Sequence, residues 1–343
     1  MREFAYGSAE SVEQAVAMLD GDPDAMFLGG GTNLVDLMRL GVATPGRLVD
    51  ISRLPATVEQ NEDGALRIGA AVRNSDLAAD PRVRRGYPVL SEALLAGASG
   101  QLRNLATSGG NLLQRTRCLY FQDVTKPCNK REPGSGCPAR EGLHRDLAVL
   151  GHSEACIATH PSDMAVALTA LDAHVVVTGP AGPGRIPMDE FHRLPGDDPT
   201  RDTVLRHGDL ITAIELPAPS ELSRNSGYRK ARDRASFAFA IGSVATAITV
   251  VDGTVTDVRV VLGAVAHKPW RARVAEQAII GGPASAHAFE AALDLELSAA
   301  QPFPDNAFKV PLVRNLAVGQ LCRLAGVEMS VGSVGAGTDG AGR

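Results

Sequence analysis

Four of the five cysteines lie in one short part of the chain, at gaps of nine, eight and eighteen residues: Cys118, Cys128, Cys137 and Cys156. No two of them form a Cys-x-x-Cys pair, and the spacing matches neither a zinc ribbon nor a ferredoxin-type motif. Six basic residues accompany them: Arg115, Arg117, Lys126, Lys130, Arg131 and Arg140. Four thiolates on an iron–sulfur cubane form a negative complex that such cations offset, so the residues favour a [4Fe–4S] site. Zinc, a disulfide framework and free thiols are the alternatives.

Two glycine-rich turns precede the cysteines. The first, residues 29–33 (GGGTN), separates a predicted buried strand at 25–28 from a predicted helix at 34–40. The second, residues 107–112 (TSGGNL), comes about 75 residues later and runs directly into the cysteines. Bare backbone N–H groups in such turns can approach a phosphate closely, and a helix N-terminus favours its charge. The pair predicts a two-sided diphosphate clamp beside the cysteine site, with a purely structural strand-to-helix connection as the alternative.

Composition narrows the classes of function. With 343 residues, 44% of them hydrophobic, the chain is long enough for two domains with a substantial core. A formal net charge of −5 argues against nucleic acid as a partner. No apolar run is long enough to predict a membrane span, and the N-terminus lacks the pattern of a signal peptide. We therefore expect synthesis in the cytoplasm without an export signal of its own, although an exported partner could carry the chain.

The order of the elements predicts an α+β fold, because strands and helices do not alternate strictly. Besides the elements around the first turn, the pattern predicts strands at 46–51, 66–72, 175–178 and 209–216, and helices at 74–79, 88–96 and 163–171. A Pro- and Gly-rich loop is expected between the last two of these strands. Neither glycine turn reads Gly-x-Gly-x-x-Gly, so a doubly wound dinucleotide fold is not indicated.

The last third predicts a hairpin backed by helices. Strands at 237–250 and 254–265 are joined by Asp252-Gly253, a strong hairpin signal. Helices are expected at about 271–280, 284–299 and 307–325, and a disordered tail at 329–343. Cys322 falls in the apolar pattern of the last helix, which predicts a plain core thiol.

Four segments together resemble one protein family: GGGTNLVDLMR, ATSGGNLLQ, HPSDMAVALTALDA and YRKARDRASFAFA. They are similar to the FAD-binding subunit of the xanthine oxidase family of molybdenum hydroxylases, and the similarity extends to about residue 327. The segment NLLQRTRCLYFQDVTKPCNKREPGSGC resembles more narrowly the FAD subunit of bacterial periplasmic aldehyde oxidoreductases, which carries an additional [4Fe–4S] cluster. All four cysteine positions match that pattern.

This resemblance implies a domain organisation. It predicts a two-part FAD-binding domain of the vanillyl-alcohol-oxidase/PCMH-like type at 1–220, with subdomains at about 1–55 and 56–220 and the iron–sulfur loop at 114–156. A smaller α+β domain, with an antiparallel sheet backed by helices, would follow at 221–328.

The resemblance also implies which residues bind the cofactors. Phe27–Leu34 would wrap the FAD diphosphate with backbone amides, Asp163 would hold ribityl or ribose hydroxyls, Ile211 would pack on the flavin, and Lys230 would face the isoalloxazine as a cation. The implied FAD set is Phe27, Leu28, Gly29, Gly30, Gly31, Thr32, Asn33, Leu34, Thr107, Gly109, Gly110, Asn111, Asp163, Ile211 and Lys230. The implied cluster ligands are Cys118, Cys128, Cys137 and Cys156. Gly29 stands where many members have alanine, a change that should not disturb the clamp.

Partners follow from the same resemblance. Aldehyde oxidation would occur at a molybdopterin centre on a large subunit, and electrons would cross two [2Fe–2S] clusters on a small subunit to the FAD, then pass to an external acceptor. We expect a heterotrimer, periplasmic if a partner carries a twin-arginine signal and otherwise cytoplasmic. The near alternative is the flavin subunit of a 4-hydroxybenzoyl-CoA reductase-like enzyme. The distant one is a non-redox assembly subunit stapled by zinc or disulfides.

Overall fold

The computed structural model of the protein describes residues 1–328. The tail at 329–343, for which the sequence predicts disorder, lies outside the described residues. None of the helices within residues 1–328 is both long enough and apolar enough to cross a lipid bilayer.

A three-stranded parallel sheet with two helices forms the first part of the chain. Its elements are β1 (Ala5–Ser8), α1 (Val12–Leu19), β2 (Ala25–Leu28), α2 (Leu34–Arg39) and β3 (Arg47–Asp50). The sheet order β1-β3-β2 places β3 in the centre, where Val49 is fully buried. The predicted strand at 25–28 is confirmed, but it lies at the sheet edge and only Ala25 is buried. The first glycine turn therefore projects from the carboxyl end of an edge strand.

A five-stranded antiparallel sheet covered by helices forms the second part. Its elements are β4 (Val58–Gln60), β5 (Leu66–Gly69), α3 (Asn74–Ala79), α4 (Pro81–Gly86), α5 (Pro88–Ala96), α6 (Gly100–Arg103), α7 (Ser108–Leu112), α8 (Leu119–Gln122), α9 (Asp163–Ala170), β6 (His174–Gly179), β7 (Gly182–Pro187), α10 (Met188–Phe191) and β8 (Leu210–Leu216). The sheet order is β4-β5-β8-β6-β7. Helix α9 is buried along its whole length, so it forms the centre of this core.

Strand β7 corrects the sequence prediction, which placed a loop there. It pairs antiparallel with β6, from His174 opposite Pro187 to Gly179 opposite Gly182. As an edge strand it tolerates prolines, which cannot donate to a neighbouring strand. None of its residues is buried, so the sequence carries no alternating apolar pattern that would have indicated a strand.

The C-terminal part is a four-stranded antiparallel sheet backed by helices, as predicted. Its elements are α11 (Glu221–Arg224), β9 (Ser226–Ala231), β10 (Gly242–Val251), β11 (Thr254–Gly263), β12 (Trp270–Arg271), α12 (Arg273–Ile279), α13 (Ala286–Leu297) and α14 (Lys309–Ala325). The predicted hairpin turn is confirmed: Asp252 and Gly253 have φ of 50° and 77°, the left-handed pair that a two-residue hairpin requires. Cys322 is buried in α14, as predicted.

One strand prediction in this part needs correction, and one strand was not predicted. The strand expected at 237–250 begins only at Gly242, because residues 233–241 leave the sheet and line a large cavity. Phe237 in that stretch has φ of 51°, which is incompatible with a strand. Strand β9 has no predicted counterpart; it pairs with β10 at the edge of the sheet.

A buried lysine holds the cysteine-bearing segment against the C-terminal part. Lys309, fully buried at the start of α14, donates from Nζ to the carbonyls of Leu147 (2.9 Å), Ala264 (2.5 Å) and Asp146 (3.3 Å). Burial lowers the pKa of this lysine to about 7. Three carbonyl acceptors match the three protons of an ammonium group, which favours the charged form against that burial.

The hairpin turn allows a test of backbone strain without steric interference. A β-carbon at Gly253 would meet no atom within 4 Å, so Gly253→Ala should lose about 1 kcal/mol of unfolding free energy from the left-handed φ alone. Gly100→Ala, equally open but in helix α6, should be neutral or slightly stabilising. Urea unfolding of both variants measures the difference, and equal stabilities would contradict the assigned turn.

Candidate cofactor site

A cavity of about 850 Å³ lies where the two glycine turns, helix α9 and the C-terminal part meet. Six of the residues predicted to bind FAD line it: Thr32, Asn33, Gly110, Asn111, Asp163 and Lys230. Its volume lies within the range of small-molecule and cofactor sites. The structure therefore brings together residues that are up to about 200 positions apart in the chain.

Close contacts at the two turns explain three of their glycines. A β-carbon at Gly30 would lie 2.0 Å from the Leu105 carbonyl oxygen, closer than any real contact. At Gly29 it would lie 2.9 Å from the Thr107 hydroxyl, and at Gly109 2.9 Å from the side chain of Ala70. The remaining predicted members of the two turns do not line the cavity: Phe27, Leu28, Gly29, Gly30, Gly31, Leu34, Thr107 and Gly109.

Polar side chains fix the second turn, which continues as the short helix α7. Thr107 is its N-cap and accepts a hydrogen bond from the Gly110 amide at 3.2 Å. The Ser162 hydroxyl, at the start of α9, donates to Asn111 Oδ1 at 2.6 Å. The turn is thus oriented both by its own cap and by the neighbouring helix.

Asp163 and Lys230 form a buried ion pair at the cavity wall. Lys230 Nζ lies 2.7 Å from Asp163 Oδ2, and their side chains are only 3% and 8% exposed. The hydroxyl of Tyr228 donates to the other carboxylate oxygen at 2.5 Å. A carboxylate has about four lone-pair sites, so Asp163 retains acceptor capacity, and its binding of cofactor hydroxyls stays a prediction.

Ile211 lies apart from these residues. It is buried in β8 and lines a second, smaller cavity of about 240 Å³, with residues of β5 and the β3–β4 connection. Among the described residues, it is the one member of the predicted FAD set that faces this second cavity. Its predicted contact with the flavin remains a prediction.

All four predicted cluster cysteines line one small cavity and belong to one apolar cluster with Phe121 and Ile157. Every cysteine of the chain is a free thiol, which argues against the disulfide alternative. Within residues 1–328, no three His, Cys, Asp or Glu side chains are close enough together to hold a single metal ion.

The electrostatics of the thiols are those of an enclosed sulfur site. Burial raises the pKa of Cys118 to about 11 and that of Cys156 to about 12, and neighbouring thiols add to the effect. Backbone amides of Tyr120 and Phe121 donate toward the Cys118 sulfur, which lowers its pKa in part. Hydrogen bonds to sulfur are a feature of iron–sulfur sites.

The large cavity and the thiol cavity adjoin. Cys118 lines both the large cavity and the thiol cavity. Helix α2, which follows the first glycine turn, is tied to the cysteine segment: the Arg115 amide donates to Asn33 Oδ1 at 3.1 Å, and Arg117 pairs with Asp36 at 3.1 Å. A shift of α2 would therefore move the start of the cysteine segment with it.

A buried polar cluster lies beside the thiols. Lys130 Nζ, fully buried, pairs with Asp202 at 2.5 Å, and these two charges act on His267 and His160. The His160 and His192 rings are 4.1 Å apart. Because burial disfavours the imidazolium, the pKa of His192 falls to about 4 and that of His267 to about 3.

Sequence reasoning missed the segment at 233–241, which supplies part of the cavity wall and exposes two aromatic rings, Phe237 and Phe239. It also missed Tyr228. The signal for Tyr228 was its position two residues before Lys230, since residues i and i+2 of a strand share a face.

The close contact between Gly30 and the Leu105 carbonyl can be tested directly by substitution. Gly30→Ala should force the turns apart at a backbone carbonyl and cost about 1–3 kcal/mol of unfolding free energy, together with loss of FAD from the purified chain. Gly29→Ala meets the side chain of Thr107 rather than backbone, at 2.9 Å from its hydroxyl, and should retain FAD. Denaturant unfolding and the flavin absorbance per chain measure both effects. Equal FAD content in the two variants would refute the contact as the reason for the glycine.

The buried imidazoles predict sensitivity to acid. The unfolded chain protonates His192 near its ordinary pKa of about 6.5, whereas the folded chain does so only near 4. As the pH falls below about 6.5, protonation of His192 in the unfolded chain lowers the free energy of unfolding, by about 2 kcal/mol at pH 5. His192→Gln should lose less stability than wild type between pH 8 and pH 5, measured by urea unfolding. If the unfolding free energies of the two proteins fell in parallel with pH, the lowered pKa of His192 would be contradicted. The difference between the two proteins at pH 8 gives the pH-independent cost of the substitution.

Comparison with known proteins identifies the family. Residues 2–219 match the FAD binding domain in molybdopterin dehydrogenase, and residues 226–322 match the CO dehydrogenase flavoprotein C-terminal domain. The chain is 51% identical to the aldehyde oxidoreductase FAD-binding subunit PaoB of Escherichia coli K12 over 316 residues, covering 92% of this chain and 96% of that one. It is 28% identical to the glyceraldehyde dehydrogenase medium chain of Sulfolobus acidocaldarius, covering 81% and 82%.

The fold agrees with a solved relative. The carbon monoxide dehydrogenase of Hydrogenophaga pseudoflava superposes with a TM-score of 0.71 at 26% identity, covering 93% of this chain and 96% of that one. The predicted architecture, a two-part FAD-binding region followed by an antiparallel α+β domain, is thereby confirmed. The chain belongs to the family of FAD-binding oxidoreductase subunits of the xanthine oxidase type of molybdenum hydroxylases.

Proposed function

We propose that this chain is the FAD-carrying electron-transfer subunit of a molybdenum-dependent aldehyde oxidoreductase, and that it holds a [4Fe–4S] cluster on Cys118, Cys128, Cys137 and Cys156. The observation that carries the proposal is the cavity: both glycine turns and the Asp163–Lys230 pair face one space. The chain that forms this cavity belongs to a family of FAD-binding proteins. The 51% identity to an aldehyde oxidoreductase subunit supports the aldehyde assignment.

The residues fit FAD by their chemistry. The glycines allow backbone amides to approach a diphosphate, and the start of α2 and of α7 offers further N–H groups. Asp163 has free lone pairs for hydroxyls, and Lys230 places a cation at the cavity wall. When bound, FAD supplies the conversion between one-electron and two-electron transfer. The chain's own task is to hold the cofactor in position and to set the charge around it.

The cluster proposal rests on the thiol cavity. Four thiols around one space, backbone N–H donors toward sulfur, and cations such as Lys130 near Cys156 and Arg140 near Cys137 suit a negative iron–sulfur complex. Asn129 stabilises the loop: its side chain bridges the Gly136 amide (2.7 Å) and the Ala155 carbonyl (2.9 Å). The four cysteines would be the ligands, and the cluster would supply a one-electron redox centre.

Partners and location follow the same proposal. The chain would assemble with a [2Fe–2S] small subunit and a molybdopterin-binding large subunit into a heterotrimer that reduces an external acceptor. Substrate oxidation would occur on the large subunit. The complex would be periplasmic if a partner carried a twin-arginine signal.

A visible spectrum with elemental analysis tests both cofactors. The purified chain should show flavin bands over a broad cluster shoulder, both bleached by dithionite, with about four irons per chain and no stoichiometric zinc. Cys128→Ser should reduce the iron content and the shoulder. Cys322→Ser, which changes a buried cysteine in the separate core of the C-terminal part, should leave both unchanged.

Four outcomes are informative. Iron loss in both variants would indicate general instability, which the unfolding midpoint of each would reveal. Unchanged iron in Cys128→Ser would exclude this residue as a ligand. Flavin without iron would leave the FAD role intact and refute the cluster, and a colourless chain that does not bind added FAD would refute the redox function altogether.

A further inference from the structure

Tyr228 belongs to neither the predicted cofactor set nor the cavity lining, yet it contacts the ion pair directly. It lies on β9, in the C-terminal part, and is 7% exposed. Its hydroxyl donates to Oδ1 of Asp163, on helix α9 of the FAD-binding part, at 2.5 Å. The second carboxylate oxygen, Oδ2, accepts from Lys230. Each oxygen of this one carboxylate therefore has a different partner from the same strand.

Strand geometry explains why both partners reach Asp163. Tyr228 and Lys230 are two residues apart, so their side chains project from the same face of β9. The backbone of this edge strand is fixed as well, because the Tyr228 amide donates to Glu92 Oε2 at 2.6 Å. Lys230 Nζ also donates to the Ala96 carbonyl at the end of α5, at 3.2 Å. Lys230 thus has two acceptors that hold its ammonium at the cavity wall.

We propose that Tyr228 is a positioning residue, whose hydroxyl fixes the Asp163 carboxylate and thereby holds the Lys230 cation in place at the cofactor cavity. This inference rests on the proposed placement of the flavin beside Lys230.

The chemistry of the hydroxyl suits that role. Burial, and then the neighbouring carboxylate, raise the pKa of Tyr228 well above its usual value, so the phenol keeps its proton and acts as a donor. Without this donor, one oxygen of a buried carboxylate loses its partner and the side chain is free to rotate. Rotation of Asp163 would remove an acceptor from Lys230, because both bonds depend on one orientation of the carboxylate plane.

The matched substitutions are Tyr228→Phe and Tyr87→Phe. Tyr87 is buried in the same apolar core and its hydroxyl donates to the Pro217 carbonyl, away from the cavity. Both variants lose one tyrosine hydroxyl and its hydrogen bond, and Tyr228→Phe should lose more stability because its acceptor is a buried carboxylate rather than a neutral carbonyl. Lys230→Met serves as a reference for loss of the cation itself.

Three measurements are made on the full chain: the dissociation constant of FAD, the reduction potential of the bound FAD, and, after removal of FAD, the rate at which acetic anhydride acetylates Lys230, read by mass spectrometry. Tyr228→Phe should weaken FAD binding severalfold, because a carboxylate that is free to rotate is no longer preorganised for the cofactor. It should shift the potential in the negative direction, as Lys230→Met does, and raise the acetylation rate severalfold. Tyr87→Phe should match wild type in all three.

The outcomes separate the inference from the function on which it rests. If Lys230→Met shifts the potential and Tyr228→Phe does not, the positioning role is refuted while the flavin placement stands. If neither variant alters the potential or FAD binding, the flavin does not lie beside Lys230. Acetylation then still decides the role of Tyr228, because an unchanged rate in Tyr228→Phe would refute it without reference to FAD.

Discussion

Gly30 approaches the Leu105 carbonyl so closely that no side chain of any size could stand there. That contact brings the edge strand of the small parallel sheet against the segment that leads into α7, so two turns about 75 residues apart form one wall. Three elements depend on this approach for their positions: α2, the second turn, and the cysteine segment that follows it. Glycine is required there because backbone must meet backbone.

Charge inside the molecule is held by partners from distant parts of the chain. Asp163 pairs with Lys230 across the two domains, Lys130 pairs with Asp202, and Lys309 takes three carbonyls as acceptors. A buried charge without a partner is costly, so each pair also fixes the relative position of the elements that carry it. The walls of the cofactor cavity are in this way determined by electrostatics as much as by apolar packing.

The thiol site and the large cavity share Cys118, and the start of α2 is bonded to the cysteine segment through Asn33 and Asp36. The Lys309 contacts extend this connection to the C-terminal part. A chain organised in this way is expected to stabilise its two sites together, since a ligand that binds only the folded state stabilises every element that builds its site.

The sequence by itself determined the features that depend on local chemistry: the glycine turns, the Asp252-Gly253 hairpin, the helices of the C-terminal part, and the grouping of four cysteines. It also carried the family, because the matching motifs are continuous segments. Tertiary structure alone decided what depends on distant partners. Strand β7 has no buried face and exists through its pairing with β6. The 233–241 segment leaves the sheet to form a cavity wall. Tyr228 acquires its role only because its side chain reaches from β9 to Asp163 on α9, since a hydrogen bond between residues 65 positions apart leaves no periodic trace in the sequence.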